Sequence, residues 1–552
     1  MTTKPWLKHY QPGVPHEINL STYASVAEIF DVSCRRYQSA PSFYCMGTSI
    51  SYEDLHSYAT QFGSYLTNDL KLVKGSRVAI MMPNLLQYPI ALFGALKAGM
   101  IVVNVNPLYT PRELEHQLVD SGAETIVILE NFAHTLQSVI KKTKVKHVVL
   151  TSIGEMHSLF KRNILDFVIR NVKKMVPPFE LDQSIRLRDA LSMGARKDFI
   201  PAKLNHEDIA FLQYTGGTTG VSKGAMLTHG NIVANVLQAG AWVHPIMGDG
   251  REIVITALPL YHIFSLTANC LLFMAIGGKN ILITNPRDIP GFIKELRKHR
   301  FSAFTGINTL FNALMNNSEF ATLDFSSFKL ALGGGMAVQK AVADKWHKTT
   351  GVVLIQAYGL TETSPAVAIN PMNSSSFTGA IGLPISSTDV RILDDQEKEV
   401  PQGQAGELCI RGPQVMAGYW NRPDETAKVM TADGWLKTGD IASCDEEGLL
   451  RIVDRKKDMI LVSGFNVYPN EIEDVVALHS KVLEVAAVGV ANEKSGEVVK
   501  VFVVKRQENL TEEEVIAHCR EHLTGYKVPK FVEFRHDLPK TNVGKILRRE
   551  LR

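Results

Sequence analysis

The sequence predicts an α/β fold, in which a large N-terminal part contains mainly parallel sheets with helices on both faces. Three observations support this fold class. First, short apolar runs alternate with helical patterns over most of the chain. Second, polar and apolar residues alternate one by one at about 385–455. Third, the residues after 455 have the pattern of a compact α+β unit. Because 552 residues exceed the length at which one core keeps growing, more than one domain is expected.

The apolar runs have the continuous hydrophobic character of strands buried on both faces. The predicted strands are 78–82, 101–105, 125–129, 148–150, 253–258 and 281–284. Helical patterns separate them, and one helix is expected to begin at Pro111, with Glu113 and Glu115 in its first turn. Strands separated in this way by helices favour parallel sheets.

The character of the sequence changes after about residue 385. Alternating runs at 390–393, 406–411 and 449–453 are joined by turns rich in glycine and aspartate, which indicates an antiparallel β subdomain at about 385–455. The charged run 454–458 then marks a boundary between an N-terminal domain, 1–455, and a small α+β C-terminal domain, 456–552. In the latter we expect helices from Pro469 and Thr511 and strands at 485–490 and 498–504.

Composition excludes several protein classes. Apolar residues make up 45% of the chain, charged residues 21%, and the net charge is only +3, so nucleic acid is not an expected partner. The N-terminus lacks the apolar segment of a signal peptide. The cysteines are far apart without C-x-x-C or metal-ligand spacing, which indicates a reduced, cytoplasmic environment; they are Cys34, Cys45, Cys270, Cys409, Cys444 and Cys519.

The uncharged segment 253–278 is long enough to span a bilayer. Polar residues and a proline interrupt it, namely Pro259, His262, Ser265, Thr267 and Asn269. We therefore predict a buried strand, a loop and a core helix there, with a transmembrane helix as the alternative.

The segment 156–176 has the pattern of a basic amphipathic helix. One face is apolar: Met156, Leu159, Phe160, Ile164, Phe167, Val168, Val172 and Met175. The other is basic: Lys161, Arg162, Arg170, Lys173 and Lys174. Such a helix either lies on an anionic membrane surface or packs on the domain as an ordinary surface helix.

The segment 214–224 has the composition of a phosphate-binding loop. Its glycines let backbone N–H groups turn toward an anion, its hydroxyls add donors, and its lysine adds charge. The residues are Tyr214, Thr215, Gly216, Gly217, Thr218, Thr219, Gly220, Val221, Ser222, Lys223 and Gly224.

Two other interpretations of this loop remain at this stage. Gly220–Gly224 matches the G-x-S-x-G nucleophile elbow of α/β-hydrolases around Ser222, although the glycine-rich residues before it do not resemble the strand that an elbow requires. The second interpretation is a flexible surface loop. It explains the glycines but not the hydroxyl side chains or the lysine. A Walker A motif does not occur in the chain.

Further residues downstream suit nucleotide chemistry. A tyrosine can stack on a base, a carboxylate can bind a divalent ion or a ribose diol, and a lysine on a glycine turn can neutralise phosphate. Each of them alone is more simply a surface or turn residue, so only their combination with the loop favours a nucleotide site. They are Gly333, Gly334, Tyr358, Glu362, Asp440, Arg455 and Lys545.

The chain resembles the adenylate-forming superfamily of acyl-CoA synthetases, luciferases and peptide-synthetase adenylation domains, from about Tyr23 to Leu551. The segments 433–440 and 454–473 are similar to the signature of bacterial long-chain fatty-acid–CoA ligases. The resemblance implies that ATP and a fatty acid form an acyl-adenylate and pyrophosphate, and that coenzyme A then displaces AMP. A medium-chain or aryl-acid CoA ligase is the alternative within the superfamily. From other classes, the alternatives are a serine hydrolase using Ser222 and a non-catalytic AMP-binding protein, the latter disfavoured because every expected catalytic position is filled.

The resemblance also implies roles for individual residues. Lys545 bridges the acyl carboxylate and the α-phosphate, Thr215 and Glu362 bind Mg²⁺, and His262 lies beside the acyl carboxylate unless it is a hydrogen-bonded core histidine. The remaining nucleotide-binding residues are the loop from Tyr214 to Ala225 together with Gly333, Gly334, Tyr358, Gly359, Thr361, Asp440 and Arg455.

Similar enzymes rotate a mobile C-terminal domain between the two half-reactions. Lys457 matches their hinge position, and rotation brings Ser463, Gly464 and Phe465 against a pantetheine tunnel. The resemblance implies long-chain fatty acid, ATP and CoA as ligands, with residues near Gly306–Leu310 lining the acyl pocket. It allows a homodimer, and it fits a cytoplasmic protein that touches the inner face of the membrane through 156–176.

Overall fold

A computed structural model describes residues 4–182, 184–215, 222–463, 465–492, 495–541 and 544–552. Within these ranges the strands are β1 Pro41–Cys45, β2 Thr48–Ser51, β3 Arg77–Met81, β4 Ile101–Val105, β5 Thr125–Leu129, β6 His147–Thr151, β7 Ser184–Arg186, β8 Ile209–Thr215, β9 Lys223–Thr228, β10 Ile253–Thr256, β11 Lys279–Leu282, β12 Ala303–Gly306, β13 Leu330–Gly333, β14 Leu354–Gly359, β15 Ala366–Ile369, β16 Leu383–Pro384, β17 Asp389–Leu393, β18 Gly406–Arg411, β19 Leu436–Cys444, β20 Leu450–Arg455, β21 Ile460–Val462, β22 Phe465–Val467, β23 Val482–Asn492, β24 Gly496–Lys505 and β25 Phe531–Arg535.

The α-helices of the same ranges are α1 Val26–Tyr37, α2 Tyr52–Ser64, α3 Gln87–Lys97, α4 Pro111–Ser121, α5 Ala133–Val139, α6 Leu159–Phe167, α7 Leu187–Gly194, α8 His229–Val243, α9 Ile263–Ser265, α10 Leu272–Ala275, α11 Ile289–Leu296, α12 Asn308–Met315, α13 Lys340–Thr350, α14 Pro423–Val429, α15 Pro469–Ala477 and α16 Glu512–His522.

Two large sheets form the N-terminal part of the molecule. A seven-stranded sheet has the order β7-β6-β5-β3-β4-β8-β9, and all its pairs are parallel except β8–β9. A nine-stranded sheet has the order β16-β15-β14-β13-β12-β10-β11-β1-β2, with parallel pairing from β14 to β1. The predicted mainly parallel architecture is therefore confirmed.

Helices fill the space between these sheets. Every residue of α3 is buried, as expected of a helix that is apolar all around. One hydrophobic cluster joins α1, α2, α3 and α8 to side chains of both sheets, including Phe43 of β1 and Val102 of β4. Strands β4 and β5 are buried at every position, which explains their continuous apolar sequence.

The third sheet is the antiparallel subdomain expected from the alternating pattern. Its order is β17-β18-β19-β20, covering Asp389 to Arg455. The fourth sheet belongs to the C-terminal part and contains β21 to β25, with α15 and α16 packed on it through a separate core cluster. The division at residue 455 lies between these two sheets and stays a prediction as a domain boundary.

The uncharged segment 253–278 forms strand β10, a loop, and a helical stretch in which a π-helix, Leu266–Leu271, joins α9 to α10. This agrees with the strand, loop and core helix predicted from its polar interruptions. In the part of the chain that the structure describes, no helix has both the length and the apolar character needed to cross a membrane.

Candidate active site

The candidate site lies where the carboxyl ends of strands from both large sheets converge. Strand β8 ends at Thr215, β13 at Gly333 and β14 at Gly359, and each is followed by a predicted site residue. Ligands of open α/β sheets bind in crevices at this end of the strands. The topology therefore collects residues that are far apart in the sequence.

The phosphate-loop candidate connects the antiparallel strands β8 and β9. Tyr214 is paired with Gly224, and Thr215 with Lys223. The Ser222 hydroxyl donates to the Thr215 carbonyl at 2.8 Å, which closes the base of the loop. Ala225 lies within β9. The predicted loop residues Gly216, Gly217, Thr218, Thr219, Gly220 and Val221 lie outside the described residues.

The surroundings of Ser222 do not suit a nucleophile elbow. An elbow places its serine between a strand and a helix. Here Ser222 is followed at once by β9, a strand antiparallel to β8. The structure therefore disfavours the hydrolase interpretation.

An ionic and aromatic cluster holds Lys223 beside the hairpin. Its ammonium forms an ion pair with Glu425 of α14 and lies 5.0 Å from the ring centroid of Tyr419. In the structure its charge already has a carboxylate partner, and a phosphate ligand would add to that arrangement or compete with it.

Glu362 lies in a single 3₁₀ turn, Thr361–Thr363, that contacts both β8 and β9. Its Oε1 accepts a hydrogen bond from the Tyr419 hydroxyl at 2.7 Å. Its carbonyl accepts from the backbone N–H of Met416 at 2.8 Å, which ties the turn to the segment before Tyr419. The turn therefore holds the Glu362 carboxylate next to the strand that ends at Thr215.

The donor set of Thr215 and Glu362 fits a magnesium ion. Both supply oxygen, the ligand type that Mg²⁺ prefers, and Mg²⁺ in nucleotide sites commonly uses one or two protein oxygens with phosphates and water. A second kind of metal site is one in which protein side chains supply all the ligands. Among the described residues, no group of three or more His, Cys, Asp or Glu side chains has the geometry of one.

Glycines allow close packing at the ends of β13 and β14. A Cβ on Gly333 would lie 2.7 Å from Leu354 Cδ2, and one on Gly359 would lie 2.0 Å from the carbonyl oxygen of Pro365. Gly334 lies against the ring of Phe264, where a Cβ would be 3.1 Å away. Packing against backbone thus requires glycine at position 359, whereas Gly333 packs against the ends of side chains.

Tyr358, Asp440 and Arg455 form one hydrogen-bonded group. The Tyr358 hydroxyl donates to Asp440 Oδ2 at 2.6 Å, and Arg455 Nε lies 3.2 Å from Asp440 Oδ1. Asp440 and Arg455 are cross-strand neighbours on β19 and β20, and Thr438 Oγ1 accepts from the Asp440 N–H at 3.1 Å. The carboxylate is therefore held in one orientation.

Lys545 is brought into this group from the C-terminal part of the chain. The adjacent Gly544 carbonyl accepts a hydrogen bond from Thr309 Oγ1 at 3.1 Å, so the C-terminal segment contacts helix α12, which follows strand β12. Loss of hydration, together with the positive charge of Arg455, lowers the pKa of Lys545 to about 8, while Asp440 opposes this shift. Lys545 thus lies within electrostatic range of the Asp440–Arg455 pair.

His262, in the loop after β10, lies within electrostatic range of the same ammonium group. Loss of hydration, followed by repulsion from Lys545, lowers the pKa of His262 to about 4. The ring is therefore neutral at physiological pH, and its Nδ1 accepts from the Phe264 N–H at 3.4 Å. A neutral imidazole next to a cation suits a hydrogen bond to an anionic ligand.

A pocket of about 270 Å³ opens beside these residues. Its lining includes the residue predicted as the hinge, and it consists of Thr438, Gly439, Asp440, Arg455, Lys456 and Lys457. Lys457 is exposed, as the charged run at 454–458 indicated. Gly464, predicted to face the pantetheine tunnel, lies outside the described residues.

The structure also brings residues to the site that the sequence did not suggest. Tyr419 holds Glu362, Glu425 pairs with Lys223, and Asp454 and Arg548 form a buried ion pair near Lys545. The only available signal was proximity: Asp454 precedes Arg455, and Arg548 follows Lys545 by three positions. Tyr419 had no comparable signal, because its partner is 57 residues away.

Comparison with known proteins identifies the family. A model of AMP-binding enzymes matches residues 30–420, and a model of the AMP-binding enzyme C-terminal domain matches 471–545. The long-chain-fatty-acid–CoA ligase of Escherichia coli O6:H1 is 60% identical over 100% of this chain and 98% of its own length. The enzyme of that name from Bacillus subtilis is 39% identical over 99% and 97%.

A solved structure of a more distant protein has the same fold. ATP-bound MatB from Rhodopseudomonas palustris is 26% identical, with a TM-score of 0.82 over 95% of this chain and 98% of that one. The resemblance expected from the sequence motifs is thus confirmed. The chain belongs to the family of AMP-binding, adenylate-forming enzymes, as a relative of the long-chain-fatty-acid–CoA ligases.

Proposed function

We propose that this enzyme is a long-chain-fatty-acid–CoA ligase, which joins a fatty acid to coenzyme A through an acyl-adenylate and releases AMP and pyrophosphate. Full-length identity of 60% to a ligase of that name supports the activity and the substrate class. The observation that carries the proposal is that Lys545 lies within electrostatic range of both His262 and the hydrogen-bonded Asp440–Arg455 pair, beside the docked Gly544.

In the first half-reaction, the attack of a carboxylate on the α-phosphate brings two anions together. A positive charge placed at that point stabilises the developing charge without a covalent intermediate. Lys545 supplies this charge, and the neutral His262 ring donates to the acyl carboxylate. Ile307 and Thr309, which belong to the segment 306–310 expected to lie at the acyl pocket, lie against Gly544.

The other predicted residues hold the nucleotide. The Asp440 carboxylate, oriented by Tyr358 and Arg455, accepts the ribose hydroxyls, and Tyr358 with Gly333 and Gly334 borders the adenine. The β8–β9 hairpin holds the β- and γ-phosphates that leave as pyrophosphate. Thr215 and Glu362 hold Mg²⁺, which when bound neutralises phosphate oxygens.

For the second half-reaction, the C-terminal domain rotates about Lys457. Rotation withdraws Lys545 and presents the segment around Ser463 and Phe465 to coenzyme A. Phe465 is 55% exposed and Leu461 48%, so the surface that would meet the thiol arm is apolar and accessible. Rotation breaks the hydrogen bonds that α12 makes to the C-terminal part, from Thr309 Oγ1 to the Gly544 carbonyl and from Asn312 Nδ2 to the Leu483 carbonyl, each at 3.1 Å.

Separate assay of the two half-reactions tests this proposal. Lys545→Ala is expected to reduce fatty-acid-dependent ATP–pyrophosphate exchange by at least about 100-fold, because one preorganised charge at the reacting centre is removed. Conversion of supplied acyl-adenylate and CoA to thioester is expected to remain. Equal loss of both half-reactions would contradict the role of Lys545.

We also propose that the segment 159–175 binds the membrane surface. Asp166 anchors it, because its carboxylate accepts from Ser152 Oγ at 2.9 Å and from the Gly154 N–H at 3.0 Å. Large apolar side chains point outward from it: Leu159, Phe160, Ile164, Phe167, Val172 and Met175 are each 47–78% exposed. Such a patch flanked by Lys and Arg fits an anionic lipid surface.

A homodimer stays a prediction from the family resemblance. Sedimentation velocity of the purified enzyme across a range of concentrations tests it directly. A single species at the monomer mass of 61.1 kDa at all concentrations would contradict it.

A further inference from the structure

A buried ionic cluster lies at the joint between the four-stranded and five-stranded sheets. Its centre is Arg548, whose side chain is 15% exposed. The guanidinium binds Glu473 of α15 through two bonds, Nε to Oε1 at 2.9 Å and Nη2 to Oε2 at 2.7 Å. Its Nη1 donates to Asp454 Oδ1 at 3.2 Å and lies 3.6 Å from Asp458 Oδ2. Three carboxylates therefore surround one cation.

The members of this cluster lie on opposite sides of the proposed hinge. Asp454 belongs to strand β20 and precedes Lys457, whereas Glu473 and Arg548 follow it. The Arg548–Glu473 pair is thus internal to the C-terminal part. The Arg548–Asp454 bond, in contrast, joins that part to the four-stranded sheet.

Asp454 makes a second bond across the same joint. Its Oδ2 accepts from the backbone N–H of Asn470, at the start of α15, at 2.8 Å. The residue before that helix, Tyr468, makes no side-chain cap of its own. A carboxylate at a helix N-terminus satisfies a free N–H and is favoured by the helix dipole. The fully buried side chain of Asp454 therefore caps α15 from the other side of the hinge.

The same cluster sets the position of Lys545. Arg548 is only three residues beyond Lys545, so fixing its guanidinium fixes the end of the segment that carries the lysine. On the other side, Asp454 adjoins Arg455, which pairs with Asp440. Asp454 and Arg548 thus connect the Asp440–Arg455 pair to the segment that carries Lys545.

We propose that Asp454 and Arg548 form a latch that holds the C-terminal domain in the orientation placing Lys545 in the site. They are positioning residues for adenylation and not for thioester formation. Rotation about Lys457 separates Asp454 from both Arg548 and the Asn470 N–H. A buried carboxylate that loses its partners is unfavourable, so the latch favours the adenylating orientation until the first half-reaction is complete. This inference rests on the proposed two-step function.

The test measures both half-reactions in Asp454→Asn, which keeps the shape of the side chain and removes its charge. With palmitate as the fatty acid, we expect ATP–pyrophosphate exchange to fall about tenfold or more, as hydrogen bonds to a charged group are weakened. Thioester formation from supplied palmitoyl-adenylate and CoA is expected to be unchanged or faster. Arg548→Lys, which keeps the charge but not the forked geometry, is expected to show the same split.

A control variant lies on the same helix. Glu471→Gln removes an ion pair with Lys527, at 2.7 Å, that is internal to the C-terminal part, and it is expected to leave the ratio of the two half-reactions unchanged. In the double variant of Asp454 and Arg548, the loss of exchange is expected to be less than the product of the two single losses, because both act on one bond.

Several results would overturn the latch. Unchanged exchange in Asp454→Asn, an equal fall of both half-reactions, or a large fall of the melting temperature with loss of both would each make the cluster merely structural. Absence of fatty-acid-dependent exchange in the unmodified enzyme would instead refute the proposed function. The two failures are therefore distinguishable.

Discussion

At the scale of single residues, we predict that the protonation state of Lys545 determines how adenylation depends on pH. Its pKa is lowered to about 8 by loss of hydration and by Arg455, so the ammonium loses its proton as the pH rises through that value. We expect kcat/KM for adenylation, which reports the free enzyme, to fall above about pH 8 for this reason.

Lys545→Arg provides the comparison for this pH profile. A guanidinium stays charged at every accessible pH, so the falling limb near pH 8 is expected to disappear in this variant even if the rate is lower. If kcat/KM falls near pH 8 in both the unmodified enzyme and Lys545→Arg, a group other than Lys545 is responsible. Thioester formation from supplied acyl-adenylate is expected to lack the limb in both.

Tyr419 is a second residue whose role can be measured. Its hydroxyl holds Glu362 Oε1 at 2.7 Å, and a hydrogen bond to a charged group contributes about 1.5–3 kcal/mol. Tyr419→Phe is therefore expected to raise the Mg²⁺ concentration for half-maximal pyrophosphate exchange by about tenfold.

The matched control for Tyr419 is Tyr52→Phe. It removes another tyrosine hydroxyl, which donates to the Gly278 carbonyl at 2.8 Å away from the site. We expect no change in the Mg²⁺ requirement of this variant. If the Mg²⁺ requirement of Tyr419→Phe is also unchanged, the hydrogen bond from Tyr419 does not contribute to the function of the Glu362 carboxylate.

At the scale of elements, the end of β14 tolerates no side chain at Gly359. A Cβ there would lie 2.0 Å from the Pro365 carbonyl oxygen, so Gly359→Ala forces the backbone to move. We expect the free energy of unfolding in urea to fall by about 1–3 kcal/mol. Gly525→Ala is the control, because a Cβ at that position meets open space. Equal stability of the two variants would contradict the argument.

The membrane proposal also belongs to one element, the segment 159–175. Reversing Arg162, Lys173 and Lys174 to Glu is expected to weaken binding to vesicles containing phosphatidylserine by at least about 100-fold, since each basic residue near the surface contributes ~1 kcal/mol. Sedimentation with vesicles measures this at several salt concentrations.

Reversal of Lys294 and Lys348 serves as the control for vesicle binding. Both are exposed on helices away from the segment, so binding is expected to change little. If the control reduces binding as much as the test variant, net charge and not the segment governs the interaction. Salt-independent binding of the unmodified enzyme would contradict the electrostatic part of the proposal.

At the scale of the whole molecule, the proposed rotation depends on the backbone at Lys457. Proline fixes φ near −65°, so Lys457→Pro restricts the rotation. We expect thioester formation to fall by at least about tenfold while pyrophosphate exchange is retained, the reverse of the split expected for Asp454→Asn. Lys457→Ala, which leaves the backbone free, is expected to retain both activities. Equal effects of proline and alanine would show that the side chain matters and not the hinge.

Much of the fold was predictable because its strands and helices carry local signals. The helix at Pro111–Ser121 begins at the expected proline, with Thr110 and Glu113 forming a capping box. Strand β5 is buried on both faces, which explains why its sequence is a continuous apolar run. Bounds were less accurate where tertiary pairing extends a strand, as in β23, which covers Val482–Asn492 against the predicted 485–490.

The sequence by itself determined the fold class, and its local motifs, such as the phosphate-binding loop that follows Tyr214, predicted a nucleotide site. It also determined family membership, because long motifs leave few alternatives. The tertiary structure alone decided which residues hold these groups in place. Tyr419 reaches Glu362, and Arg548 reaches Asp454, across separations of 57 and 94 residues. Such contacts depend on how sheets and helices pack, and no local pattern of polarity or propensity records them.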